Sequence, residues 1–296
     1  MAKKKIMKPV KAIIALCEGK TDVAFLRQLL LSDDYRDYVE IVSKIRQPLG
    51  LGGNQTGESY FINKLKTYEY DSSELRDRPL LPFILRRTEG QSDTYVLLYD
   101  MNGMDRTQNY REIIDDFDEL GNPFKTSTPR VDAAIAFIYD LDDKTIADRL
   151  QHIQETYIDL IPELKDISES IKVTNSKKYK SIGYYFLKKE DEEVGNLEDI
   201  ILPLMRKGNE NVFDKAADFL NSNGFIRLKK DKSKNENKTQ SDFNKSLIGT
   251  VGQLEHSGLG NADIIKLTSM LNKDKFNNSQ QCQAIIKFFS EMRKGL

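Results

Sequence analysis

Two short apolar runs, each stopped by carboxylates, constrain this chain more than any other feature. Ala12 to Leu16 (AIIAL) leads through Cys17 to Glu18 and Gly19, and Ala133 to Tyr139 (AAIAFIY) leads to Asp140-Leu141-Asp142-Asp143. Continuous apolar runs of this length, without polar alternation, are what strands buried on both faces of a parallel sheet look like. A helical pattern follows each. Thr21 is an N-cap candidate, with Val23, Phe25, Leu26, Leu29 and Leu30 recurring behind it, and Ile146 to Tyr157 follows the second run. Val39 to Ile45, Tyr95 to Tyr99 and Tyr184 to Leu187 read as further strands, and Ser59 to Tyr68, Tyr110 to Leu120 and Leu197 to Met205 as further helices. Strands alternating with helices predict an open α/β fold with a mainly parallel central sheet flanked by helices.

The last third reads differently. Helices are expected near Phe213 to Leu220, Ala262 to Leu271 and Gln281 to Met292, and residues 227–238 form a polar, lysine-rich loop. The expected division is an α/β core over 9–205, with 70–130 inserted into it, and a mostly helical C-terminal extension over 206–296 packed on that core.

Composition excludes several classes. Lys and Arg number 45 against 46 Asp and Glu, so no basic excess announces a nucleic-acid binder, and any such reading rests on where the charges sit. No apolar run approaches the ~18 residues of a membrane span, so no membrane partner is expected. The start, Met1-Ala2-Lys3-Lys4-Lys5, is basic, but it lacks the apolar region and small-residue cleavage site of a signal peptide. Cys17 and Cys282 stand too far apart for a disulfide framework or a paired-cysteine zinc site, and a reducing cytoplasmic setting is expected. His152 and His256 are isolated and read as surface or packing residues.

Open α/β sheets bind ligands beyond the carboxyl ends of their strands, where strand order reverses. Glu18 follows the first run, and Asp140 and Asp142 follow the strongest one. In extended chain, i and i+2 point to the same side, so these two aspartates can share a site while Leu141 turns away. Three clustered anions repel unless a cation sits among them. Oxygen ligands of this kind suit magnesium, and magnesium suits phosphate chemistry. A second acidic element, Glu198-Asp199, opens the helix after Gly195-Asn196. Acids there ordinarily serve the helix dipole.

These residues together resemble a family. IIALCEGKTDVAFLRQLL resembles the opening of TOPRIM domains, and AIAFIYDLDD resembles their Asp-x-Asp strand. Gly52-Gly53 fits the glycine turn after their second strand. GNLEDIILPLM is similar to a Leu-Glu helix in the TOPRIM domains of overcoming-lysogenization-defect (OLD) nucleases, and NKSLIGTVGQLEHSGLG to the tail of standalone TOPRIM-like proteins. The resemblance implies a Rossmann-like TOPRIM fold and Mg²⁺- or Mn²⁺-dependent phosphodiester chemistry on DNA or RNA, with a separate ATPase subunit as a candidate partner. It implies Glu18 as general acid or base and metal ligand, Asp140 and Asp142 as metal ligands, Asp22 and Glu198 as ligands of a second metal, and Lys245 as the balance for phosphate charge.

Local charge is consistent with that expectation. Lys172 to Lys189 holds six lysines and no acid, and Arg227 to Lys238 holds six basic residues against Asp231 and Glu236. Tyr179, Tyr184 and Tyr185 are candidates for base stacking. Two other motifs fail on their chemistry. Gly52 to Ser59 nearly spells a phosphate-binding loop, but Glu58 stands where the lysine is needed. Asp100-Met101-Asn102-Gly103 lacks the later acids of a calcium loop and reads as a turn. One rival chemistry remains. FIYDLDD also fits the Asp-x-Asp motif of haloacid-dehalogenase-type phosphatases, with Ile171-Lys172-Val173-Thr174 as their second motif. A catalytically silent binding module on the same scaffold is the other alternative.

Overall fold

The computed structural model describes residues 10–38, 82–90, 92–103, 111, 114, 131–174, 179–223 and 236–296. The expected strand at 39–45, the glycine turn at 52–53, the helix at 59–68, most of the helix at 110–120 and most of the 227–238 stretch lie outside them.

The described residues form a seven-stranded mixed sheet with helices on both faces, in keeping with the alternation of strand and helix patterns. The strands are β1 (Val10–Cys17), β2 (Arg36–Asp37), β3 (Phe83–Glu89), β4 (Ser92–Asp100), β5 (Val131–Asp140), β6 (Ile171–Val173) and β7 (Tyr179–Leu187). Their order is β2-β3-β4-β1-β5-β7-β6. The central four run parallel, and β2, β3 and β6 join antiparallel at the edges. The two carboxylate-stopped apolar runs are therefore adjacent central strands, paired from Val10↔Val131 to Cys17↔Ile138. Residues 83–100, within the expected insertion, instead supply two strands of the main sheet, with β4 directly beside β1.

Alternate residues of the central strands serve two cores. Ile13, Ala15 and Cys17 face one side, with Ala134, Ala136 and Ile138. There they meet α1 (Lys20–Ser32), α3 (Leu197–Arg206), α4 (Glu210–Ser222), α5 (Glu236–Gly252), α6 (Asn261–Leu267), α7 (Lys273–Asn277) and α8 (Gln280–Lys294). Ala12, Ile14 and Leu16, with Ile135, Phe137 and Tyr139, face the other. That side is covered by α2 (Ile146–Tyr157) and a short 3-10 turn at Pro162–Asp166. The C-terminal helices thus share one core with the first strand. Gly183 shows how closely they pack: a Cβ there would fall 2.7 Å from Met292 Sδ and 3.0 Å from the Phe288 ring. Among the described residues no helix is long and apolar enough to cross a membrane.

Because the C-terminal helices bury their apolar stripe in this shared core, the chain should unfold in a single transition. Phe289, fully buried on α8, is a sensitive reporter. Phe289→Ala should cost about 3–5 kcal/mol in denaturant melts. Two resolved transitions, with only one shifted, would show that the helices fold apart from the sheet.

Candidate functional site

The site lies where strand order reverses. From β1 the chain goes to β4 on one side, then crosses back to β5 on the other, so the carboxyl ends of β1 and β5 flank the switch point. Glu18 and Asp140 stand there. The ladder continues through Glu18, whose N–H donates to the Ile138 carbonyl at 3.2 Å. The Asp140 N–H in turn donates to Glu18 Oε2 at 3.3 Å.

Two helices begin at this edge and bring two further carboxylates. Helix α1 is capped by Gly19 rather than by Thr21, and Asp22 Oδ2 accepts the Gly19 N–H at 2.7 Å. Asp22 is thereby 4% exposed. Helix α3 starts after Asn196, and its first N–H, on Leu197, donates to Asp140 Oδ1 at 2.8 Å. The next residue, Glu198, is turned inward and is 2% exposed, while Asp199 takes the ordinary capping role by accepting the Asn196 N–H at 3.0 Å. The two neighbouring acids at this terminus therefore do different things. One serves the helix, the other the site.

Asp142 corrects a geometric expectation. It lines the same cavity as Asp140, but the chain is not extended there, because Asp142 has φ +54°. Its backbone pairs with Gly195 in both directions, at 2.6 and 2.8 Å, and its carboxylate holds Arg149 of α2 at 2.7 Å. No local signal marks Arg149 in the sequence. Helix α2 is legible from Thr145 and Asp148, which cap it reciprocally, but nothing in the pattern says that the arginine four residues after Thr145 turns back to Asp142.

The opposite wall is α5. Gln240, Asn244 and Lys245 face the carboxylates across a cavity of about 490 Å³, with Lys189 at its rim. Lys245 Nζ stands 4.0 Å from Glu198 Oε2, an oxygen that is buried without a hydrogen-bond donor.

Burial sets the electrostatics. It pushes Asp22 up to about 8, against the pull of the Gly19 N–H, with Glu18 and Glu198 adding repulsion. Asp140 is held well above the ordinary carboxyl range by desolvation and then by the charges of Asp22, Glu18 and Glu198. Glu18 and Glu198 are raised mainly by burial too. Lys245 loses by desolvation, but Glu198 and the aspartates more than offset this and raise it. These groups prefer a proton or a cation among them to standing charged together. The donors are hard oxygens, which fits a magnesium-like ion. As the side chains are placed, no group of three or more His, Cys, Asp or Glu among the described residues is gathered closely enough to hold one.

Other sequence expectations sort differently. Lys177, Lys178 and most of 227–238 lie outside the described residues. The remaining lysines of the first patch do not gather: Lys180 and Lys189 lie toward opposite ends of β7, about 30 Å apart at the rise of a strand. Tyr179 and Tyr184 are buried, which removes them as stacking platforms, whereas Tyr185 packs on Phe288 and lines a second, smaller cavity with Lys188 and Lys189. Thr174 sits beyond Val173, which pairs with Ser181 near the start of β7, whereas Asp140 pairs with Leu187 at its end. The second phosphatase motif is therefore at the wrong edge of the sheet. Asp100 ends β4 in a turn, accepting the Asn102 N–H at 2.8 Å. Neither histidine lines the cavity, and both cysteines are free and buried.

The model of one family, described as proteins of unknown function, matches residues 13–294. The chain belongs to the DUF3226 family. The match runs from β1 into the last turn of α8, so carboxylate edge and C-terminal helices form one DUF3226 unit, as the shared core requires. No curated protein and no solved structure matches the chain.

Two outcomes follow for this DUF3226 protein. A carboxyl group whose folded pKa is raised stabilises the fold fully below its unfolded value and loses that contribution as pH rises through the folded value. For Asp22 the window runs from about pH 4 to about 8. Without divalent ions, stability should fall across it, on the order of 1–3 kcal/mol, and Asp22→Asn, which keeps an oxygen for the Gly19 N–H, should flatten the decline. A melting temperature independent of pH in the parent protein would contradict the buried-carboxylate account. Gly195 has φ +122°, and a Cβ there would fall 2.7 Å from the Lys189 backbone nitrogen. Gly195→Ala should therefore cost about 1–3 kcal/mol in thermal or chemical melts.

Proposed function

We propose that this cavity carries out divalent-metal-dependent phosphodiester chemistry on DNA or RNA, as a nuclease or the nuclease subunit of a larger assembly. One observation carries the reading: Glu18, Asp22, Asp140 and Glu198 converge at the switch point of a parallel sheet, with an ammonium group facing them. Burying several carboxylates together is costly, and a site for a cation is the direct physical reason to keep them. The resemblance of the Glu-Gly-x-x-Asp and Asp-x-Asp segments to TOPRIM domains supports the same reading.

Glu18, Asp140 and Asp142 would hold Mg²⁺ or Mn²⁺, with Asp142 exchanging its hold on Arg149 for the ion. The bound ion would polarise a phosphoryl oxygen and neutralise charge that builds there. The chain's own groups supply the rest. Glu18 carries a carboxyl group whose affinity for a proton is raised by burial, which suits it to hand a proton to a leaving oxygen or take one from attacking water. Lys245 presents a fixed positive charge toward phosphoryl oxygens. The N-termini of α1 and α3 both begin at this edge and favour an anion there. A separate ATPase subunit is a candidate partner.

The test uses purified protein on plasmid, linear DNA and RNA with Mg²⁺ or Mn²⁺. Cleavage should require the divalent ion and fall about 10²–10⁴-fold in Glu18→Gln, with at least as large a loss in Asp140→Ala. Equal residual cleavage in both variants and the parent would remove the catalytic assignment. Phosphate release from small monoesters, abolished by Asp140→Asn but not by Glu18→Gln, would establish the phosphatase instead.

A further inference from the structure

We infer that Lys245 takes the place of a second divalent cation, so that each chain binds a single ion at its carboxylate cluster. This rests on the metal-dependent reading above and deepens it. The carboxylates divide by what already engages them. Glu18 and Asp140 line the cavity. Asp22 and Glu198 sit behind them, 4% and 2% exposed. Asp22 Oδ2 is committed to the Gly19 N–H at 2.7 Å, which leaves this carboxylate its second oxygen for a cation. Glu198 Oε2 is buried, accepts no hydrogen bond, and has Lys245 Nζ at 4.0 Å. At that separation the ammonium supplies positive charge to the inner pair without a divalent ion.

The lysine is delivered by a packed helix. Leu247, Ile248 and Val251 of α5 are buried in the main core. The Lys245 carbonyl accepts from Asn261 Nδ2 at 2.8 Å, and Asn244 beside it is buried. Seating α5 therefore brings the half-exposed Lys245 side chain up to the inner carboxylates. A second divalent ion beside Asp22 and Glu198 would have to displace this half-exposed ammonium or meet its repulsion.

Mn²⁺ titration measures this directly, with free Mn²⁺ followed by electron paramagnetic resonance and heat by calorimetry. The parent protein should take up one ion per chain. Lys245→Ala and Lys245→Met should take up two, or bind the second at least about tenfold more tightly than the parent does. Lys245→Arg should remain at one. Thermal melts identify folded variants, and Lys245→Met removes the charge while keeping an unbranched side chain of similar length. Two ions in the parent would overturn the inference and leave the metal-dependent reading standing. One ion in both the parent and the Lys245→Met variant would also overturn it. No ion in any of them would overturn the metal-dependent reading, and the inference with it.

Discussion

Carboxylates taken out of water need hydrogen bonds or positive charge, and in this DUF3226 protein that need is greatest at the carboxyl edge of β1 and β5, where Glu18, Asp22, Asp140 and Glu198 crowd together. The parallel pairing of β1 with β5 sets Glu18 and Asp140 side by side. Around them the backbone is arranged to compensate. The first N–H of α3 points at Asp140, the N–H before α1 is held by Asp22, and Lys245 stands against Glu198. The helices that cover one face of the sheet thus begin or cross where the acids need them. Loss of the β1–β5 register by one residue would reverse which side chains face each core and scatter the acids.

The compensation is incomplete. Arg149 answers Asp142, and Lys245 answers Glu198, yet Asp22 and Asp140 remain strongly disposed to keep a proton. Such a cluster is a liability for stability near neutral pH, and its retention in a fold otherwise closed by two continuous cores is what argues for chemistry at this edge. The cavity above it has walls of different character. One is acidic and built from strand ends and helix starts. The other, on α5, mixes amide, hydroxyl and ammonium groups with the Asp242 carboxylate. A phosphate group placed between them would meet the Gln240, Asn244 and Lys245 donors on one side and metal-seeking oxygens on the other.

Much of this architecture is legible in the amino-acid sequence. Strands buried on both faces have no choice but apolar residues, so AIIAL and AAIAFIY stand out, and the acids that stop them mark the carboxyl edge. The expected N-cap at Thr21 is displaced to Gly19 because Asp22 reaches back to its N–H, a local competition that propensity alone does not settle. The extended Asp140–Asp142 geometry gives way to a left-handed residue because Asp142 pairs with Gly195. The lysine and tyrosine patches split because β7 is a long strand: Tyr179 and Tyr184 turn into a core, Lys180 is left toward one end, and Tyr185, Lys188 and Lys189 stay together toward the other.

By itself, the amino-acid sequence determined the α/β class, the two central strands, the carboxylates at their ends and the helical character of the last third, since each depends on periodicity or on residues adjacent in the chain. Only the tertiary structure decided that β3 and β4 pair into the sheet beside β1, that α5 closes the cavity and sets Lys245 against Glu198, and that Arg149 holds Asp142. Those placements depend on contacts between segments remote in sequence, where shape and desolvation choose partners that no local pattern encodes.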